Sequence, residues 1–144
     1  MIEGVLDTSV LVKWFKEDHE AHLESARALK EHYLRGELVI STPPLLFIEL
    51  LNIAARRWGW DIERLDMLAE RMSAYGFRVQ QPSLRRIAYW AGQGLTAYDA
   101  CYIALAEELR SVVITADDRI LAVAGGLATP VVGASSQTRQ EMSG

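Results

Sequence analysis

The sequence contains one cysteine, Cys101, and three histidines among its 144 residues. A single cysteine excludes an internal disulfide, and three histidines without the appropriate spacing do not provide a zinc site. No apolar run approaches the roughly 18 to 20 residues of a membrane-spanning helix, and the N-terminus lacks the basic and apolar segments of a signal peptide. We therefore expect a cytoplasmic protein without a membrane partner, in which oxygen atoms supply the ligands of any metal site.

Positive charge is also scarce in this chain. The formal net charge is −4, so the chain lacks the basic surface that usually marks a nucleic-acid-binding protein. This objection weakens where several acids lie together and a divalent cation neutralises them. Three of the fifteen basic residues are lysines, the last of them Lys30. The other twelve are arginines, which are better suited to bidentate contact with phosphate.

The length of the chain fits one domain of ordinary size. We predict that this domain spans residues 1–134 and that the polar residues 135–144 form a flexible tail. Short apolar segments predict five strands, at residues 4–7, 38–41, 77–81, 112–115 and 130–132, with helical patterns between them. This alternation predicts an α/β fold with a parallel sheet covered by helices on both faces.

Two aspartates follow strands of the predicted sheet. Asp7 ends the first strand, and Asp117 comes just after the fourth. Because the carboxyl ends of parallel strands lie along one edge, where α/β proteins bind ligands, we expect the two carboxylates at the same edge. Each aspartate alone is also explained as a helix cap, since a predicted helix follows each of them.

Two further acids lie on predicted helices. Glu49 is flanked by apolar residues in a helix expected over residues 45–58, with residues 42–44 as its cap and first turn. A glutamate in such surroundings either occupies a solvated position or points into a cleft where a cation compensates its desolvation. Asp99 falls in the first turn of a helix capped by Thr96, where the helix dipole alone would favour a carboxylate.

The four acids together predict a metal site. Two carboxylates about 5 Å apart repel by roughly 3 kcal/mol at an effective dielectric constant of about 20. Four of them cannot all stay ionised in one cleft without a cation. Mg²⁺ and Mn²⁺ take oxygen ligands and keep coordination positions for water and phosphate, so such a site supports in-line hydrolysis of a phosphodiester bond.

Four segments occur in a characteristic order: VLDTS (residues 5–9), PLLFIE (44–49), LTAYDACYIALA (95–106) and VITAD (113–117). In order and spacing they resemble the PIN domain family, and most closely the VapC toxins of toxin–antitoxin pairs. The resemblance spans residues 4–133. It implies a three-layer α/β/α sandwich whose five-stranded parallel sheet has the order 3-2-1-4-5.

The resemblance also implies which residues form the active site. The residues that would be catalytic and bind Mg²⁺ or Mn²⁺ are Asp7, Glu49, Asp99 and Asp117. The hydroxyl groups of Thr8, Ser9 and Thr115 would support them. Asp118 would contribute to the site or substitute for Asp117.

The resemblance implies that the protein is an endoribonuclease and the toxin of a type II toxin–antitoxin pair. By the same resemblance the protein forms a homodimer and is silenced by a VapB-type antitoxin. RNA would be the substrate. The arginines that are candidates for contacts with RNA phosphates are Arg56, Arg57, Arg78, Arg85 and Arg86. Solvated helix faces and carboxylate pairs explain each of these arginines equally well.

Two other classes of function fit part of the pattern. Phosphatase and phospho-acceptor domains also place acids at the carboxyl edge of a parallel sheet. The absence of lysine after Lys30, and Ser9 where one such class carries a second aspartate, argue against them. A PIN-domain protein in RNA processing, or a PIN scaffold that binds RNA or protein without catalysis, would share the fold. Retention of all four acids argues against the scaffold.

Overall fold

The structure is a computed structural model that describes residues 2–16 and 22–131. The predicted flexible tail, residues 135–144, lies outside these ranges, so the proposed domain boundary stays a prediction. Within the described ranges, no helix has both the length and the apolar character needed to cross a membrane.

Strands and helices alternate along the chain, as the sequence pattern predicts. The strands are β1 (Ile2–Leu6), β2 (Leu38–Thr42), β3 (Arg78–Val79), β4 (Val113–Thr115) and β5 (Ala128–Pro130). The helices are α1 (Thr8–Phe15), α2 (Leu23–Leu34), α3 (Leu45–Arg56), α4 (Ile62–Ala74), α5 (Leu84–Ala91), α6 (Ala97–Leu109) and α7 (Asp118–Ala124). A short 3-10 turn, Gly125–Leu127, leads from α7 into β5.

The five strands form one parallel sheet in the order β3-β2-β1-β4-β5, which confirms the predicted order 3-2-1-4-5. The chain builds outward from β1 to β2 and β3, and then returns to place β4 on the other side of β1. Leu6 pairs with Ile114 at the carboxyl ends of β1 and β4. Asp7 and Thr115, the residues that follow this pair, therefore lie beside each other where the strand order reverses.

Helices cover both faces of the central strands. Successive side chains of a strand point to opposite faces, and Val5 and Leu6 of β1 are fully buried, as are Val113 and Thr115 of β4. One group of helices is formed by α1, α2, α3 and α4, which contact one another in pairs, and α5 packs on α6. This arrangement is the predicted three-layer α/β/α sandwich.

The structure corrects several local predictions: β1 is Ile2–Leu6 and not residues 4–7, and α3 ends at Arg56 and not at residue 58. The fifth strand, predicted at residues 130–132, is Ala128–Pro130, because its register with β4 pairs Val113 with Ala128 and Thr115 with Pro130. The third strand, expected over residues 77–81, is only Arg78–Val79, an exposed pair at the edge of the sheet that bonds to β2 alone. Thr42 does not cap α3 but ends β2, where its buried hydroxyl donates a hydrogen bond to the carbonyl oxygen of Leu6, 3.3 Å away.

Candidate active site

A cleft of about 290 Å³ opens at the carboxyl ends of β1 and β4, where the strand order reverses. The residues that line it are Asp7, Thr8, Ser9, Glu49, Ile53, Arg57, Asp99, Tyr102, Asp117 and Arg119. All four acids predicted from the sequence are among them. A larger cavity of about 440 Å³, bounded by Tyr33 and Tyr75, has no acidic side chain in its lining. The acidic lining, and not its volume, distinguishes the cleft from this larger cavity.

Asp7 lies between β1 and α1 at the base of the cleft, with 2% of its surface exposed. Its Oδ1 atom accepts a hydrogen bond of 2.6 Å from Ser9 Oγ, and its Oδ2 atom accepts one from Thr115 Oγ1. Burial raises the pKa of the Asp7 carboxyl to about 7, although the hydrogen bonds from Ser9 and Thr115 act in the opposite direction. The negative charge of Asp117 adds to the increase.

The hydroxyls of Ser9 and Thr115 connect this carboxyl to the segment after β4. Ser9 Oγ accepts a hydrogen bond of 2.8 Å from the backbone N–H of Ala116, and Thr115 Oγ1 accepts one of 2.9 Å from that of Asp117. Each hydroxyl thus donates to Asp7 and accepts from the backbone. The supporting role predicted for Ser9 and Thr115 is consistent with these positions.

Glu49 enters the cleft from α3. Thr8 Oγ1 donates a hydrogen bond of 2.9 Å to its Oε1 atom, and the Tyr102 hydroxyl donates a second one to the same atom. The two hydroxyl oxygens lie 2.9 Å apart. Because both bonds end on Oε1, they fix the orientation of the carboxylate and leave Oε2 for another ligand.

Tyr102 is a site residue that the sequence prediction missed. It lies on α6, three residues after Asp99, and residues three apart share a helix face. This spacing is the signal that could have identified it. Burial and the adjacent negative charge of Glu49 raise the pKa of Tyr102 far above its ordinary value, so its hydroxyl remains a donor.

Asp99 and Asp117 approach the cleft from the starts of α6 and α7. The expected cap is present at α6, where the backbone N–H of Asp99 donates to Thr96 Oγ1 at 3.1 Å. Asp117 caps α7, since its Oδ1 atom accepts a hydrogen bond of 2.8 Å from the backbone N–H of Arg119. Asp117 therefore both caps α7 and lines the cleft.

The guanidinium of Arg119 lies beside both of these carboxylates. Its Nη2 atom is 3.1 Å from Asp117 Oδ2 and 3.7 Å from Asp99 Oδ2. Partial burial opposes ionisation of Asp117, but the hydrogen bonds and charge of Arg119 prevail and lower the pKa of that carboxyl. Burial raises the pKa of Asp99, and repulsion from Asp117 raises it further, against the attraction of Arg119.

The donor atoms of the cleft suit a hard divalent cation. Carboxylates and hydroxyls are the ligands that Mg²⁺ and Mn²⁺ prefer, and a buried aspartate with a raised pKa gains most from a cation beside it. Yet across residues 2–16 and 22–131, no three His, Cys, Asp or Glu side chains are grouped so that they could hold a metal ion. The chemistry of the cleft therefore fits the metal, although its acids are not gathered around a common point in this structure.

Several predicted residues lie outside the cleft. Asp118 is exposed and does not contribute to the lining. Arg86 donates two hydrogen bonds, of 2.6 and 2.8 Å, to the Glu107 carboxylate. Arg78 borders two other cavities, and Arg85 is exposed on α5. Among the five candidate arginines only Arg57 lines the cleft, and contacts between any of the five and RNA stay predictions.

The model of the PIN domain family matches residues 4–126 of this chain. Among solved structures, the crystal structure of PAE2754 from Pyrobaculum aerophilum is similar to this fold, with a TM-score of 0.70. The two sequences are 20% identical, and the alignment covers 96% of each chain. None of the curated proteins matches the sequence.

The raised pKa of Asp7 predicts a pH-dependent effect of Asp7→Asn on the metal-free protein. The carboxyl has a pKa of about 7 when folded, against an ordinary 3.8. The contribution of the neutral Asp7 carboxyl to the free energy of unfolding is therefore fully present below pH 3.8 and is lost as the pH rises to about 7. We expect Asp7→Asn to be the more stable protein at pH 8, by up to about 4 kcal/mol, and to show no such advantage near pH 4.

Urea unfolding in EDTA across this pH range measures the difference. Asp118→Asn is the matched control, because it removes an exposed acid outside the cleft. If the difference in the free energy of unfolding between Asp7→Asn and the unmodified protein does not change with pH, the assignment of a raised pKa to Asp7 is contradicted.

The hydrogen bonds to Glu49 predict that Tyr102→Phe lowers the free energy of unfolding. Loss of the hydroxyl removes one of the two donors to Oε1 in a confined site, which costs about 1 to 2 kcal/mol. Tyr98→Phe is the control on the same helix, because the Tyr98 side chain is 62% exposed, and its effect should stay within about 0.5 kcal/mol. The decrease in the free energy of unfolding caused by Tyr102→Phe should be smaller in a Glu49→Gln background. Equal losses in both backgrounds would show that the two side chains are not coupled.

Proposed function

Because the chain belongs to the PIN domain family, we propose that its acidic cleft is the active site of an Mg²⁺- or Mn²⁺-dependent endoribonuclease. PIN domains are generally nucleases. The observation that carries the proposal is the convergence of Asp7, Glu49, Asp99 and Asp117 on one cleft at the reversal point of the sheet.

Each carboxylate has a role that its surroundings support. Asp7, Asp99 and Asp117 would hold the metal with Glu49, since these four side chains supply the acidic oxygens of the cleft. When bound, the metal would neutralise the phosphate oxygens and lower the pKa of a water molecule. Glu49 is held at Oε1 by Thr8 and Tyr102, so its Oε2 atom is available as a ligand or as the acceptor of a proton.

The buried Asp7 carboxyl gives the proposed activity a dependence on pH. Its pKa of about 7 means that it holds a proton in much of the metal-free protein at neutral pH. A carboxyl binds a metal as the carboxylate, so that proton must leave as the metal binds. Metal binding should therefore become tighter as the pH rises through 7.

The substrate and biological role rest on the resemblance to VapC toxins. We propose RNA as the substrate, a type II toxin–antitoxin pair as the setting, a VapB-type antitoxin as the partner and a homodimer as the assembled form. The cleft is open to solvent, and the exposed Arg57 and Arg119 lie at its border, where the phosphates of a polynucleotide chain would pass.

A second candidate is a PIN-domain scaffold that binds RNA or protein without catalysis. If the protein is catalytic but is not a toxin, the alternative is a nuclease in RNA processing. One observation favours the non-catalytic candidate. In the part of the chain that the structure describes, the acids are not grouped to hold an ion, and Arg119 lies beside two of them. Metal binding without RNA cleavage would favour this candidate.

Cleavage of a mixed RNA pool by the purified protein tests the proposed function. We expect cutting with Mg²⁺ or Mn²⁺ and none in EDTA. Asp99→Asn should lower the rate at least about 100-fold, because the metal supplies several kcal/mol of transition-state stabilisation. Asp118→Asn, prepared identically, should retain activity because Asp118 lies outside the cleft.

The outcomes of this assay separate the alternatives. Cleavage that survives Asp99→Asn would point to a contaminating nuclease and contradict the site assignment. Absence of cleavage by the unmodified protein, with metal binding intact, would support a narrow RNA substrate outside the pool or the binding scaffold instead.

A further inference from the structure

Arg119 is the one cation that contacts the predicted metal ligands within the described residues. Its guanidinium donates to both oxygens of Asp117, from Nε to Oδ1 at 3.4 Å and from Nη2 to Oδ2 at 3.1 Å. The same Nη2 atom reaches Asp99 Oδ2 at 3.7 Å. It therefore bridges the carboxylates of two different helices, α6 and α7.

The contact with Asp99 distinguishes this arrangement from an ordinary local ion pair. An arginine two residues after a helix-capping aspartate can pair with it for local reasons alone, and such a pair contributes little to stability. Asp99 belongs to another helix and gains nothing from the capping of α7. Its pairing with Arg119 is explained by the repulsion between Asp99 and Asp117, which a shared cation relieves.

The position of the guanidinium is also the position that a metal ion would need. A cation ligated by Asp99 and Asp117 would have to lie between the carboxylate oxygens that now face Nη2. Two positive charges cannot occupy that space together. The side chain of Arg119 is 72% exposed, so it can swing into solvent without disturbing the core.

We propose that Arg119 is an internal counter-cation that competes with the divalent metal for Asp99 and Asp117. In the metal-free protein it pairs with both carboxylates and limits their repulsion. Metal binding displaces it, and the free energy of breaking these pairs weakens the observed affinity for the metal. This inference rests on the proposed function, since it requires that the cleft bind a divalent cation.

Arg57 provides a matched control for the effect of charge. It is an exposed arginine that lines the same cleft, and it makes no ion pair with Asp99 or Asp117 within the described residues. Arg57→Gln and Arg119→Gln each remove one positive charge from the border of the cleft. Only Arg119→Gln removes the cation that contacts the carboxylates.

Calorimetric titration of Mn²⁺ into the metal-free full-length protein measures the competition directly. We expect Arg119→Gln to bind Mn²⁺ roughly three- to tenfold more tightly than the unmodified protein, the range expected when partly exposed ion pairs no longer compete. Arg57→Gln should change the affinity by less than about twofold. Thermal unfolding in EDTA should show a lower Tm for Arg119→Gln than for Arg57→Gln, since its carboxylates have lost their counter-charge.

The results separate a failure of this inference from a failure of the proposed function. Unchanged or weaker Mn²⁺ binding by Arg119→Gln, with normal binding by the unmodified protein, would overturn the competition alone. An equal gain in both variants would also overturn it, because the effect would then come from the general field of the cleft. Absence of Mn²⁺ binding in all three proteins would overturn the metal site itself. Binding by Arg119→Gln alone would support the competition in its strongest form.

Discussion

The repulsion between carboxylates at the reversal point of the sheet is the constraint on which the arrangement of the cleft depends. Four acidic side chains line a space of about 290 Å³, and each is compensated differently. The pKa of the buried Asp7 rises to about 7, so that this carboxyl can hold a proton. Glu49 accepts two hydroxyl hydrogen bonds on one oxygen. Asp99 and Asp117 share the guanidinium of Arg119. A divalent cation would relieve the same repulsion at once.

The order of the strands is what brings these groups together. Pairing of β1 with β4 places the end of one strand beside the end of the other, although more than 100 residues separate them. The hydroxyls of Ser9 and Thr115 then connect the two ends through the Asp7 carboxyl. The helices α3 and α6 add Glu49 and Tyr102, which bond to each other across the cleft. The site is therefore held by long-range contacts between elements, and no single motif contains it.

Much of this could be predicted from the sequence, because the signals concerned are local. Asp7 directly follows an apolar strand, Asp117 comes two residues after another, and Glu49 stands out against its apolar neighbours on α3. The two-residue β3 and the displaced β5 depend on pairing at the sheet edges, which weak local patterns do not determine. Tyr102 has a signal in its spacing from Asp99. Arg119 has none, since sequence alone does not say which carboxylates a long, flexible side chain will contact.

The central claim is that the acidic cleft is a site for a divalent metal. Crystals soaked in Mn²⁺, with the ion located by its anomalous scattering, test this claim most directly. We predict a peak at the reversal point of the sheet, within coordination distance of carboxylate oxygens that include those of Asp7 and Asp99, with the Arg119 guanidinium moved away from them. A structure without a peak in the cleft at saturating Mn²⁺, or with Mn²⁺ bound only elsewhere, would contradict the account.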